Sequence, residues 1–246
     1  MQNTDNSLKR KYSFLFYYTI ISSTLFLAFI LSSFIAKENK ITADEITVKR
    51  VTVVGEDNLP RVVISNETRQ HPGRADGKEL PKRSRNAGII FFNNTGEECG
   101  GISFGAKNKN NVIDHSVSMM MDNYRNDQVI VLENEEHYEN GNAAINRGLV
   151  INEYPAGAAP LMELVDKLHA LDSIKDAAAK ETAFNTLLEK DGPKRRLFIG
   201  RSQDNDNGLF LYDSKGKPKL LLYVDKAGNP KIEVIDSTGH TKNILQ

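Results

Sequence analysis

Glu97 and Glu98 stand side by side, with Gly96 before them and Cys99, Gly100 and Gly101 after. Two adjacent carboxylates among flexible glycines offer an ionisable oxygen and a backbone free to present it. A general acid or a metal ligand needs both. Further along, Asp122 and Asp127 bracket Arg125. Paired carboxylates bind Ca²⁺ or run glycoside hydrolysis. Glu97, Glu98, Asp122 and Asp127 are therefore the candidate catalytic residues of an envelope hydrolase or a polysaccharide-modifying enzyme. Each pair also has a structural reading, which is the leading one. The glycines would supply positive φ or close strand approach in a hairpin. Arg125 would pair with an aspartate at a surface turn, worth about 0–1 kcal/mol.

Other candidates are thinner. Asp204 and Asp206, followed by Gly208, suggest a calcium loop and hence a calcium-stabilised adhesin-like module. Such a loop wants glycine at position 6 and a distal glutamate. Here glycine falls at position 5 and the glutamate is missing, so a polar hairpin turn is the preferred reading. Cys99 is the only cysteine, which excludes an intramolecular disulfide, and its acidic neighbours disfavour a thiolate. His71, His115, His137, His169 and His240 are scattered and form no zinc-binding spacing. No nucleophile elbow, phosphate loop or dinucleotide fingerprint occurs. The sequence points to no cofactor.

Turn chemistry organises the chain that must position these residues. An aspartate followed three residues later by glycine recurs at Asp213/Gly216, Asp225/Gly228 and Asp236/Gly239. The aspartate accepts backbone N–H groups and the glycine takes the left-handed conformation of a bulged hairpin. The intervening runs 209–212, 220–224 and 232–235 are aliphatic, so this end reads as a β-meander. Similar patterning predicts strands over 46–54, 61–65, 88–92, 100–104, 112–121, 128–132, 148–152 and 197–200. The expected fold is mainly β: an antiparallel, hairpin-rich meander forming a sandwich, barrel or roll. Two segments interrupt it. Residues 66–87, with Arg69, Arg74, Lys78, Lys82, Arg83 and Arg85, read as a long basic loop. Residues 160–191 read as a helical insertion, one bent helix or a helical hairpin, in which the pattern Ser173-x-x-Asp176 would cap a second helix beginning at Ser173.

Residues 12–36 carry no charge, and Lys9, Arg10 and Lys11 precede them. About 20 apolar residues cross a hydrocarbon core of about 30 Å, so this run reads as a single transmembrane helix. Phe34 occupies a position where signal cleavage after Ala36 would require a small residue, which favours an uncleaved anchor. The positive-inside rule then puts residues 1–11 in the cytosol. A linker, 37–45, and a β-rich domain, 46–246, lie outside.

Formal net charge is zero, with 32 basic and 32 acidic residues, which offers no electrostatic case for nucleic acid. The run Pro60 to Asn66, the pair His71 and Pro72, the stretch Gly88 to Gly101, and Asp122, Asp127 and Gln128 together resemble a family of uncharacterised bacterial proteins with an N-terminal membrane anchor. The resemblance covers roughly residues 45–155. It implies a location, the bacterial inner membrane with the domain outside the cytosol, and a domain type, but no activity. The leading functional expectation is a non-enzymatic interaction or scaffold module. It would bind another envelope protein through the helical insertion or the basic loop.

Overall fold

The computed structural model describes residues 2–33 and 40–245. The chain divides into two compact units, Met1–Thr47 and Val48–Gln246.

The first unit contains α1 (Gln2–Ser33). Its stretch Leu8–Ser32 is long and apolar enough to cross a membrane, and none of it is buried within the protein. At 1.5 Å per residue this stretch measures about 37 Å. Thr19 and Thr24 donate their hydroxyl protons to the Leu15 and Ile20 carbonyls, at 2.9 and 2.8 Å. Ser22 and Ser32 bond back to Thr19 and Phe29. These four hydroxyl groups are thus satisfied within their own helix, which lowers the cost of carrying them into hydrocarbon. Phe34, Ile35 and Ala36, the end of the expected span, lie outside the described residues, as do Lys37 and the start of the linker.

The second unit is built on one twelve-stranded antiparallel sheet. In chain order its first strands are β1 (Arg50–Val54) and β2 (Pro60–Ser65), followed by a small separate hairpin, β3 (Arg74–Ala75) and β4 (Lys78–Glu79). Then come β5 (Ala87–Phe92), β6 (Glu98–Lys109), β7 (Val112–Asp122), β8 (Gln128–Glu139) and β9 (Asn142–Glu153). The insertion holds α2 (Leu161–Ala170), a short 3₁₀ turn (Leu171–Ser173) and α3 (Ala177–Asp191). The sheet resumes with β10 (Lys194–Arg201), β11 (Asn207–Tyr212), β12 (Pro218–Val224), β13 (Pro230–Ile235) and β14 (Thr241–Asn243). Each strand of the large sheet pairs with the next one in sequence. It is the expected meander, open, with β1 and β14 as its edges.

The turns work as their chemistry requires. Asp213 Oδ1 accepts the Lys215 and Lys217 N–H groups, both at 2.9 Å, and Asp225 and Asp236 repeat the pattern. Asn93 plays the same part for Thr95 and Glu97, so the stretch around Gly96 is a hairpin of the same kind. Gly200 shows why glycine stands inside a strand. Its φ is 152°, and a Cβ there would run into the Arg147 carbonyl on the neighbouring strand.

Several boundaries differ from expectation. β1 begins at Arg50, not at residue 46, and β8 continues to Glu139, well past Leu132. The added part of β8 is polar. It is held by the backbone ladder to β7 and β9 and by cross-strand pairs such as Arg147–Glu136, at 2.7 Å. The basic segment 66–87 is not a free loop. It carries the β3–β4 hairpin, and its arginines bond inward: Arg74 Nε to the Gly96 carbonyl (3.0 Å), Arg83 Nε to the Pro72 carbonyl (3.0 Å) and Arg85 to Glu98. The helical insertion is two helices. Asp176 caps the second by accepting the Ala179 N–H at 2.7 Å, whereas the Ser173 hydroxyl turns back to the Ala170 carbonyl.

One face of the sheet holds the core. Val63, Ile90 and Phe92 form one buried cluster, and Val131, Val150 and Phe198 form another, with Met120, Phe210 and Tyr212 against it. His71, from the 66–86 segment, lies edge-on to Phe92 at 4.9 Å and covers the first cluster. The 154–193 insertion contributes two further buried apolar side chains, Ala159 and Leu164. The insertion is tied to the β7–β8 turn by the Leu161 N–H to Arg125 carbonyl bond, at 2.8 Å, and by Asn126 Nδ2 to the Ala159 carbonyl.

Candidate functional site

The four candidate acids do not act as one group. Glu97 is buried, and its Oε1 accepts the Gly77 N–H at 2.6 Å, which pins the β3–β4 hairpin to the β5–β6 turn. That is a structural task, and it turns Glu97 away from the others. Glu98, Asp122 and Asp127 do come near one another, because β6, β7 and the start of β8 are adjacent strands. Two residues that sequence reasoning left out of the set complete the cluster. Arg85 grips Glu98 in a two-pronged pair, Nη1 to Oε2 at 2.9 Å and Nη2 to Oε1 at 2.6 Å. Tyr154 brings a phenol that interacts with the Asp127 backbone.

The electrostatics follow from this crowding. Burial pushes the Asp122 carboxyl up to about 7; Asp127 and Glu98 add to the rise and Arg85 opposes it. Burial likewise pushes Tyr154 up to about 12, with Asp127 and Asp122 acting in the same direction. The Cys99 thiol is raised by burial and then by Asp122 and Glu98, so it is held as a thiol. A half-protonated carboxyl beside other carboxylates is a setting in which a general acid operates. Against that, both Glu98 oxygens are taken by Arg85, and one Asp127 oxygen accepts the Gln128 N–H at 3.0 Å.

Asp204 and Asp206 lie in the β10–β11 hairpin turn, where Asn205 takes the left-handed conformation at φ 68°. Asp206 Oδ1 accepts the Lys226 N–H of a neighbouring turn at 3.2 Å. Among the described residues no group of three or more His, Cys, Asp or Glu side chains could hold a metal ion.

The most extensive surface feature is the other face of the sheet. Following the strand register, one apolar ladder runs from Val51 on β1 through Ile89, Met119, Leu132 and Ile199 to Ile232 on β13. A second, beside it, runs from Val53 through Phe91, Met121, Ile130 and Leu211 to Val234. Every rung is aliphatic, methionine or phenylalanine except Gly100. Much of it is open to solvent: Leu132 is 58% exposed, Ile64 49%, Met121 48% and Leu222 48%. At its far end Leu209, Leu222, Ile232 and Leu245 line an open depression of about 360 Å³. The next row on this face is polar over the central strands. There Arg147 bonds Asn134 at 2.6 Å and Glu136 at 2.7 Å and, as the first of several partners, holds the Glu136 carboxyl down to about 2.

The signal for this face was present in the sequence. A strand with one wet face alternates apolar and polar residues, whereas one buried on both faces reads as a continuous apolar run. Val129 to Leu132, Leu149 to Ile151, Leu197 to Ile199 and Leu220 to Leu222 are continuous runs.

Comparison with protein-family models, with curated proteins and with solved structures finds no match for this chain.

Proposed function

We propose that this protein is a single-pass membrane-anchored envelope protein whose extracytoplasmic β-domain is a non-enzymatic interaction module, with the open apolar face as its working surface. The carrying observation is that face: two adjacent apolar ladders across the sheet, written in strands patterned for burial on both sides. Contiguous apolar surface beyond a few hundred Å² marks an interaction site. The anchor reading rests on the Leu8–Ser32 helix, and the orientation on Lys9, Arg10 and Lys11. The basic segment becomes a support for the sheet, since Arg74 bonds the Gly96 carbonyl and Arg85 pairs with Glu98. Placing Glu at both Leu132 and Ile199 in the full-length protein lowers the apparent mass of its complex on native gels of solubilised membranes and leaves the β-sheet circular dichroism intact. Unchanged migration contradicts the reading.

A second reading has one specific observation behind it, the Asp122 carboxyl held near neutrality beside Asp127 and Glu98. In that reading the domain is a hydrolase or polysaccharide-modifying enzyme and Asp122 is its general acid. Turnover of a cell-wall polysaccharide that disappears in Asp122→Asn supports it; no turnover by the wild-type protein removes it.

A further inference from the structure

The apolar face specifies an occupant. We propose that it packs against the same face of a second copy of this chain, so that two single-layer sheets form one sandwich across a two-fold axis; this rests on the reading of the face as the working surface.

The first argument is area. Strands lie about 4.8 Å apart and same-face neighbours about 6.8 Å apart, so each position covers about 33 Å². Two ladders across eleven strands then present about 700 Å². A stable interface of standard size uses about 800 Å² per partner. The second argument is the surface already left over. The chain exposes 18,002 Å², whereas a compact monomer of its mass, 27.5 kDa, exposes about 11,000 Å². Part of the excess belongs to the exposed Leu8–Ser32 stretch of α1 and to the exposed residues 40–49, and the exposed apolar face of the sheet adds to it.

The third argument is chemistry. No rung of either ladder carries a charge, so a ladder meets its own copy without repulsion, as an isologous contact requires. Sheets packed face to face sit about 10 Å apart with strands within about 30° of alignment, a geometry that aliphatic ladders fill by interdigitation. The centre is apolar and the adjoining row over the central strands polar, the anatomy of a protein interface. In that row Glu136 neutralises Arg147, and Arg201 beside it bonds the uncharged Asn205 amide oxygen, so the row carries a weaker pull toward an anionic lipid surface, about 1 kcal/mol per basic residue, than a polybasic cluster would. β8 and β9 are the two central strands, and Leu132 and Leu149 face each other across them. A two-fold axis between the layers passes near this pair.

The test is photo-crosslinking in native membranes with the full-length protein. A benzophenone amino acid replaces Leu132, and separately Leu222; Glu135, on the opposite face, serves as control. The expected result is a product of twice the chain mass, containing two differently tagged copies, from Leu132 and Leu222 but not from Glu135. A product with a different protein overturns the second-copy proposal and leaves the interaction reading standing. Lipid adducts only, no adduct, or equal dimer yield from Glu135 overturns both.

Discussion

Asp122 is the residue at which the fold pays for its crowding. Its carboxyl ionises near 4 in an unfolded chain and at about 7 here, chiefly through burial. A raised folded-state value means that the folded protein holds a proton the unfolded chain has lost. Stability therefore falls as pH rises from about 4 to about 7 and is level above that. Allowing for solvent screening, the loss between pH 5 and pH 8 is about 1–2 kcal/mol. Urea unfolding at the two pH values should show it, and Asp122→Asn should flatten the difference and be the more stable form at pH 8. Arg85 shows the reverse case. Arg85→Met leaves Glu98 partly buried without its partner and should cost about 1–3 kcal/mol at pH 8. Asp206 is already engaged by a backbone N–H, so EDTA should leave the melting temperature of the wild-type protein unchanged.

At the scale of elements, the glycines inside strands and those in turns differ in kind. Gly200→Ala drives a methyl group into the Arg147 carbonyl and should destabilise by about 2–4 kcal/mol, a shift legible in thermal melting. Gly141→Ala, in a turn with open space around it, meets only the left-handed backbone and should cost about 1 kcal/mol. Asp176→Ala removes one helix cap, and the expected sign is faster amide exchange at Ala179, local to α3. The turns were legible in the sequence because Asp213 and Gly216 encode their own geometry within four residues. The end of β8 was not: Glu133 to Glu139 carries no apolar alternation, and its strand conformation comes from pairing with β7 and β9. The same limit applies to the candidate acids. Glu97 and Glu98 are neighbours in sequence, but alternation and a bulge send one to the β3–β4 hairpin and the other to Arg85. Arg85 was visible only as one of several cations in a basic run.

At the scale of the whole molecule, the chain spends its length on width. Twelve strands in sequential order make a sheet about 50 Å across, with its buried clusters on one face and the exposed apolar ladders on the other. A helix able to cross a membrane precedes it in sequence, and under the proposed anchoring, copies tethered to one surface would meet at raised effective concentration. Both features support the proposal that the apolar face is the working surface. The most direct measurement is the protein stoichiometry of the full-length chain in lipid nanodiscs by light scattering, for the wild type and for the protein with Glu at both Leu132 and Leu222. The expected result is two copies for the wild type and one for the variant, with the β-sheet circular dichroism of both the same. One copy in the wild type, or two in both, would contradict the claim that this face joins two chains.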